Sequence, residues 1–548
     1  MSPKPVEKGR RAIRRAAARD RRFTLACYAT AQLALLGWWL GFHPGLMSPD
    51  SVTYVAHVTT GPWVAGQSVA YDALLGLSLR VTGGLSAVTL LQTAAMAAAL
   101  AHLAGAIRPL GGRRRPLLVA VGCAALSPPL GAFTVSMWKD VPFTVCAVLA
   151  AGTAVRLATR SGMWSGVRSG ARDVAGAVAG GEDRVWDAAG SVVEGVEGED
   201  RARDGAGARD GAKARGVGRR RGRDAAGRGG GGWAWDPRFA ALGAELLGLG
   251  LFRNNGFLVA LIAAALLVAL LSGRPGARRW VAALAAGAVA APLLLLGVGY
   301  PAMGIAAPSR SFAYQTVFGD LAVAYGERPR LFDQEQRALL AEIAPLDVWR
   351  QGATCQTMAR VFFDPEFGHT RAEQRISDVL ELWRGLLARA PGMILSTRIC
   401  RAALAWRVGS TSGEPGGELY RFSLGDPRLP DGWEGTPAAS AMRQRPILTG
   451  LLAAGLFALD ASTAGQLEWL LWRAPFWCYL VYATAALVWW RTGSRAALAG
   501  AAVVAGQQIG VILTNTAPDF RFMVSPIFIG VLFVPLLLRE VGALSPRR

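Results

Sequence analysis

Apolar runs long enough to cross a bilayer recur along this chain, and short arginine-rich loops separate many of them. A hydrocarbon core about 30 Å thick takes about 20 apolar residues as a helix, because lipid offers no partner to an unpaired backbone amide. The runs fall at 23–42, 85–107, 116–135, 141–157, 239–252, 257–271, 281–299, 475–490, 496–513 and 522–538. They predict an all-α polytopic membrane protein with about ten transmembrane helices. Hydrophobic residues make up 52% of the 548, which sets the chain apart from soluble enzymes. The formal charge of +21 looks at first like a nucleic-acid binder. The arginines instead cluster beside the apolar runs, as the positive-inside rule asks of cytoplasmic loops, so no nucleic-acid partner is expected. The sequence holds no zinc-ligand spacing, P-loop or dinucleotide fingerprint.

The organisation follows from that rule. Residues 1–22 read as a basic cytoplasmic tail leading into an uncleaved anchor. Residues 23–160 hold the first four spans and a first outer loop, 43–83, whose stretches 51–60 and 67–81 fit short interfacial helices. Pro128-Pro129 predicts a kink or break in the third span. Residues 161–232, rich in Gly, Ala, Arg, Asp and Glu, read as a disordered cytoplasmic insertion. Three more spans occupy 233–299, an extracytoplasmic and mainly helical segment occupies 300–472, and the last spans lie in 473–548. The run 447–461 decides the topology. At about fifteen residues it is short for a span, and laying it on the outer surface keeps Arg491, Arg495 and the terminal Arg547-Arg548 inside. Both termini are then cytoplasmic in a multi-pass protein of the cytoplasmic membrane.

With this topology four polar sets share the outer face: Asp50, Lys139-Asp140, Arg253-Asn254-Asn255 and Asp519-Phe520-Arg521. Charged side chains at a membrane boundary need a partner or a task. Asp50 and Asp140 suit a proton acceptor or a cation ligand. Lys139, Arg253 and Arg521 suit a phosphate, and Asn254 and Asn255 suit sugar hydroxyls. Blander readings stand beside these. Asp50 also fits the N-cap of a helix starting at Ser51, and Asp519 with Arg521 fits a plain ion pair. His43, His57, His102 and His369 read as ordinary surface residues. Cys27, Cys123, Cys146 and Cys478 lie in apolar runs as packing residues. Cys355 and Cys400 face the oxidising side, as a disulfide or as two free thiols. Tyr314, Trp349, Trp383 and Trp406 suit the packing of the outer segment more than an acceptor cleft.

The order of these motifs carries a resemblance. A basic tail, a first span, an outer loop with Ser48-Pro49-Asp50, then Lys139-Asp140, Arg253-Asn254-Asn255-Gly256 and a late Asp519-Phe520-Arg521-Phe522 resembles the GT-C superfamily of membrane glycosyltransferases. Within it, the pattern is most similar to bacterial branches related to protein mannosyltransferases and lipid A sugar transferases. The resemblance covers roughly residues 23–320 and 470–540. It implies transfer of a sugar from a polyprenyl-phosphate donor to an extracytoplasmic glycan, lipid or protein, beside membrane lipid. It implies Asp50 as the base or metal-placing carboxylate, Asp140 in a second acidic position, and Lys139, Arg253 and Arg521 around the donor phosphate. A divalent metal is an option it leaves open. Many relatives carry His-Pro in the first outer loop. This chain reads Gly66-Gln67-Ser68-Val69-Ala70-Tyr71-Asp72 there, which makes Asp72 the substitute on the acceptor side.

Two other classes compete, a transporter or lipid flippase and a non-catalytic scaffold. Transporters place charges near the bilayer midplane in broken helices and often carry internal repeats. No such repeat is visible here, and the charges fall at span ends.

Overall fold

The computed structural model describes residues 5–159, 236–271 and 275–542. One compact unit comprises Met1–Thr159 with Arg238–Arg548; the other, Arg160–Pro237, lies almost wholly outside the described residues, and the expected insertion 161–232 lies outside them entirely. The larger unit is built from α1 (Pro5–Gly41), α2 (Pro49–Thr59), α3 (Val69–Thr82), α4 (Ser86–Ile107), α5 (Arg114–Leu126), α6 (Pro128–Val135), α7 (Asp140–Thr159), α8 (Pro237–Phe252), α9 (Gly256–Leu270), α10 (Pro275–Leu294), α11 (Gln315–Glu327), α12 (Gln334–Ile343), α13 (Ile376–Arg389), α14 (Pro391–Arg401), α15 (Thr449–Ser462), α16 (Pro475–Thr492), α17 (Ala496–Thr514) and α18 (Val524–Gly542), with shorter turns between. Among the described residues there is no strand.

Among the described residues six helices are long and apolar enough to cross a membrane, seven if the bent pair α5–α6 is counted as one span. The chain is an all-α membrane protein. Length and composition do not bring the count to ten. Helices α8 and α9 have only 16 and 15 residues. Helix α16 has 18, but its Trp, Tyr and Thr residues dilute its hydropathy. Helix α1 runs without a break from Pro5 to Gly41, with the candidate span within it at Ala18–Gly41. The break in the third span does occur: α5 stops at Ser127, the residue before a proline is driven out of the helical region, and α6 leaves at 63°.

The helices alternate in direction. At one end, where α1 finishes, the Leu46 amide donates to Val135 O (3.1 Å) and that of Met137 to Leu46 O (2.9 Å), so the chain leaving α1 is bonded to the chain leaving α6. At the opposite end arginines clamp the loops: Arg108 pairs with Asp20 (2.5 Å), Arg539 donates to Leu110 O (2.7 Å) and Arg495 to Leu270 O (3.0 Å). Small residues let backbones meet. A Cβ on Gly506 of α17 would lie 2.8 Å from Val259 O of α9, so glycine permits that helix pair to touch.

Helix α15 lies at one end of the bundle. The Leu448 amide bonds to Leu40 O at the end of α1, and Ser462 O accepts from Trp472 Nε1 (2.9 Å), whose ring lies 4.9 Å from that of Phe520 at the start of the last helix. Both of its ends therefore sit at the same end of the bundle. The segment after α10 has a core of its own, in which α11 is buried almost all round and Phe318, Phe362, Phe367 and Trp349 pack together. Trp349 is fully buried and Trp383 half-buried, as packing predicts, whereas Tyr314 and Trp406 are exposed. The Cys355–Cys400 disulfide is formed, so the two-thiol alternative is not what folds. Of the apolar-run cysteines, Cys27 and Cys478 are buried, Cys146 is half-buried and Cys123 is exposed.

Candidate active-site cavity

The Asp50 loop is shaped by a capping box. Ser48 and Ser51 exchange hydrogen bonds, Ser51 Oγ accepting from the Ser48 amide (3.0 Å), with Pro49 in the first turn of α2. Ser48, not Asp50, is therefore the N-cap, and the Asp50 carboxylate is left to pair with Arg521 Nη1. The same serines fix the next motif: Ser51 Oγ donates to Met137 O (2.9 Å) and Trp138 Nε1 donates to Ser48 Oγ (2.7 Å). Lys139 and Asp140 are thus set beside Asp50. Lys139 Nζ donates to Gln67 Oε1. Asp140 opens α7, is 1% exposed, and faces Arg253 Nε at 3.5 Å.

Arg253 belongs to the same cluster. It is buried, with its guanidinium 4.3 Å from the Phe522 ring centroid and 5.6 Å from that of Phe143. The two asparagines after it tie the turn to its neighbours: Asn254 Nδ2 donates to Gly66 O (2.9 Å) and Asn255 Nδ2 to Thr514 Oγ1 (2.8 Å). Arg521 Nε donates to Asp519 Oδ2 (2.8 Å) and its guanidinium lies 5.1 Å from the Trp138 ring centroid. The ion pair that sequence offered as the bland reading is real, and Asp50 joins it.

Gly256 holds the Arg253–Gly256 turn closed. A Cβ there would lie 1.8 Å from Leu249 O, a backbone atom that cannot step aside. Gly256→Ala is expected to destabilise the protein by about 1–3 kcal/mol, as overpacking does, and to shift Arg253, Asn254 and Asn255 together. Thermal unfolding of the purified variant checks this; an unchanged midpoint would mean that the turn opens without strain.

Asp50, Lys139, Asp140, Arg253, Asn254, Asn255, Asp519 and Arg521 all line one cavity of about 1030 Å³. Burial works to raise the Asp50 pKa, but Arg521 and Lys139 prevail and hold it below the usual carboxylate value. Burial dominates at Lys139 and lowers its pKa despite Asp50 and Asp140. Burial also dominates at Asp519, pushing it up to about 6, with Arg521 opposing and Asp140 and Asp50 adding to the rise.

No family model, curated protein or solved structure matches the chain. The cavity is therefore read on its own chemistry.

Asp72 does not join it. It is fully buried between α2 and α3 and accepts or shares a proton with His57 Nδ1 at 2.8 Å, beside the Tyr54–Tyr71 ring contact. The acceptor-side role expected of Asp72 is thus replaced by a structural pair. His57 is buried rather than on the surface and His102 is half-buried against Thr153, whereas His369 is exposed as expected, its ring edge meeting Phe362 and Phe367. His43 is half-buried, with its Nδ1 hydrogen-bonded to Arg445 O. Among the described residues no three His, Cys, Asp or Glu side chains converge as a metal site. Two polar residues of the cavity, Gln67 and Arg398, were missed. Gln67 had a visible signal, since it stands inside the quoted Gly66–Asp72 stretch. Arg398 had none, because it lies in the long segment where no pattern marks it.

Proposed function

We propose that the protein is a membrane glycosyltransferase that moves a sugar from a polyprenyl-phosphate donor to an extracytoplasmic glycan, lipid or protein, with inversion at the anomeric carbon. The observation that supports this is the meeting of Asp50, Asp140, Asp519, Lys139, Arg253 and Arg521, drawn from four distant loops, in one cavity at the ends of apolar helices. A transporter needs such charges near mid-membrane, so their place at helix ends favours chemistry on a lipid-borne phosphate. On this reading α8, α9 and α16 complete ten spans, both termini are cytoplasmic, and the cavity opens outside the cytoplasmic membrane.

Three cations against three carboxylates leave this cluster neutral when empty. A donor phosphodiester competes with Asp50 for Arg521. Asp50 then loses the cation that lowers its proton affinity and becomes the base for the acceptor hydroxyl. The acceptor oxygen bonds to the anomeric carbon as the bond from that carbon to the phosphate oxygen breaks. The electron pair leaves on the phosphate, whose second negative charge meets Lys139, Arg253 and Arg521. The acceptor proton ends on Asp50 and passes to water. The amide oxygens of Asn254 and Asn255, whose Nδ2 groups are already engaged, serve the sugar hydroxyls. No covalent enzyme intermediate is required.

The test is release of polyprenyl phosphate from polyprenyl-phosphate sugars by the purified chain in proteoliposomes containing an envelope acceptor fraction. Proton- or ion-coupled uptake without any release would replace this reading by transport. A pH prediction follows from Asp519. An ordinary aspartate titrates near about 3.9; raised to about 6, Asp519 is ionised at pH 7 and protonates as pH falls through 6. Losing that charge from a cluster that also holds Asp50, Asp140, Arg253 and Arg521 makes the cavity more positive. The donor KM is expected to fall between pH 7 and 5, and to lose that dependence in Asp519→Asn. The same sign gives the fold extra stability as pH drops through 6.

A further inference from the structure

The wall of the cavity contributed by the segment between α10 and α15 carries a cation of its own. Arg398, on α14, lines the same space as Lys139, Arg253 and Arg521, alongside the neutral hydrogen-bonding groups Gln315, Thr316 and Tyr420. Its guanidinium is gripped from behind: Nε donates to Asp320 Oδ2 (2.8 Å) and Nη2 lies 2.6 Å from the same oxygen. Asp320 is fully buried and already neutralised without it. Arg401 Nη1 donates to Asp320 Oδ1 (2.8 Å) and Arg401 is 1% exposed, while Trp383 Nε1 donates to Oδ2 (3.0 Å). One arginine would have balanced this carboxylate. The second leaves an excess positive charge, and Arg398, with a side chain 27% exposed, is the member that lines the cavity.

The charge count sharpens the point. The cluster around Asp50 holds three cations and three carboxylates and is neutral. Arg398 therefore gives the cavity lining its net positive charge. Its position is also fixed by covalent means. Cys400 stands two residues after it, and the disulfide to Cys355 binds α14 to the loop that leads into Met358 and Ala359, which line the cavity as well. A guanidinium so held, with Nη1 outside its bonds to Asp320, is a preorganised receptor for an oxyanion.

We infer that Arg398 forms an acceptor subsite that selects an anionic acceptor, one bearing a phosphate or carboxylate near the hydroxyl that receives the sugar. The inference rests on the sugar-transfer reading of the cavity, and adds the substrate class. Phosphate and carboxylate share the chemistry that Arg398 recognises, so the test carries both.

Methyl glucuronide, sn-glycerol 1-phosphate and neutral methyl glucoside are the probes, used with the full chain in two measurements. Titration calorimetry on detergent-solubilised protein should detect the two anions and not the neutral sugar. Arg398→Gln should weaken the anions about 10- to 100-fold, as loss of a charge-assisted bond does, and Arg398→Lys should restore part of that. In proteoliposomes supplied with the donor, Arg398→Gln should raise the KM of the preferred anionic probe by a similar factor, while the donor KM moves less. The better of the two anions names the group. Equal binding of anions and neutral sugar, or anion binding unchanged in Arg398→Gln, overturns the subsite. Anion binding that depends on Arg398 with no polyprenyl phosphate released from any donor upholds the subsite and overturns the transferase reading. Release with no preference for anions does the reverse. A thermal unfolding midpoint for each variant separates lost binding from lost fold.

Discussion

Asp50→Asn is expected to lower sugar transfer about 100- to 10,000-fold, the range of a lost general base, with the protein still folded and inserted. Asparagine keeps the shape of the side chain but cannot take the acceptor proton. The local fold does not depend on Asp50, since the cap of α2 belongs to Ser48 and Ser51. The Asp50 side chain is 28% exposed, so breaking its pair with Arg521 removes little stability. The neutral variant also removes one negative charge from the cavity, so donor binding should hold or tighten while kcat collapses. That split sets a chemical role apart from a structural one. It is read from polyprenyl phosphate release across donor concentrations, with thermal unfolding as the control. Full turnover in the variant would take Asp50 out of the reaction.

The largest effect on stability is expected at Asp320. Replacing it by alanine leaves Arg401, 1% exposed, and Arg398 as like charges with their shared anion gone. Removing one partner of a buried pair costs about 3–5 kcal/mol, because the remaining charge is stranded away from water. The unfolding midpoint of the purified chain should drop accordingly. The double variant Asp320→Leu with Arg401→Met should recover much of the loss, since an apolar pair carries no desolvation penalty. A midpoint that does not move in Asp320→Ala would mean that water, not Arg401, satisfies this carboxylate.

Much of the architecture could be read from hydropathy because lipid forbids alternatives: a run such as 496–513 has no option but a helix, and Pro128-Pro129 no option but a break. The short runs are where reading stops. Nothing in the composition of 239–252 or 257–271 tells a brief span from a helix packed beside one. The polar sets at the ends of the helices were legible for the same reason, since charges at such places are expensive to keep. Partnerships within them were not. Asp72 and His57 stand on separate helices, and only the packing of α2 on α3 brings them to 2.8 Å, turning a candidate substrate contact into an internal pair. Arg398 was invisible because one arginine among many in an amphipathic segment carries no period or motif; its meaning comes from Asp320 lying 78 residues upstream.

The pairing of Arg521 with Asp50 joins positions 471 residues apart. A ribosome must therefore finish nearly the whole polypeptide, and the final helix must enter the bilayer, before the pocket exists at all. Until then the carboxylate of the first loop waits without its cation, and a nascent or truncated product lacks the assembled cluster.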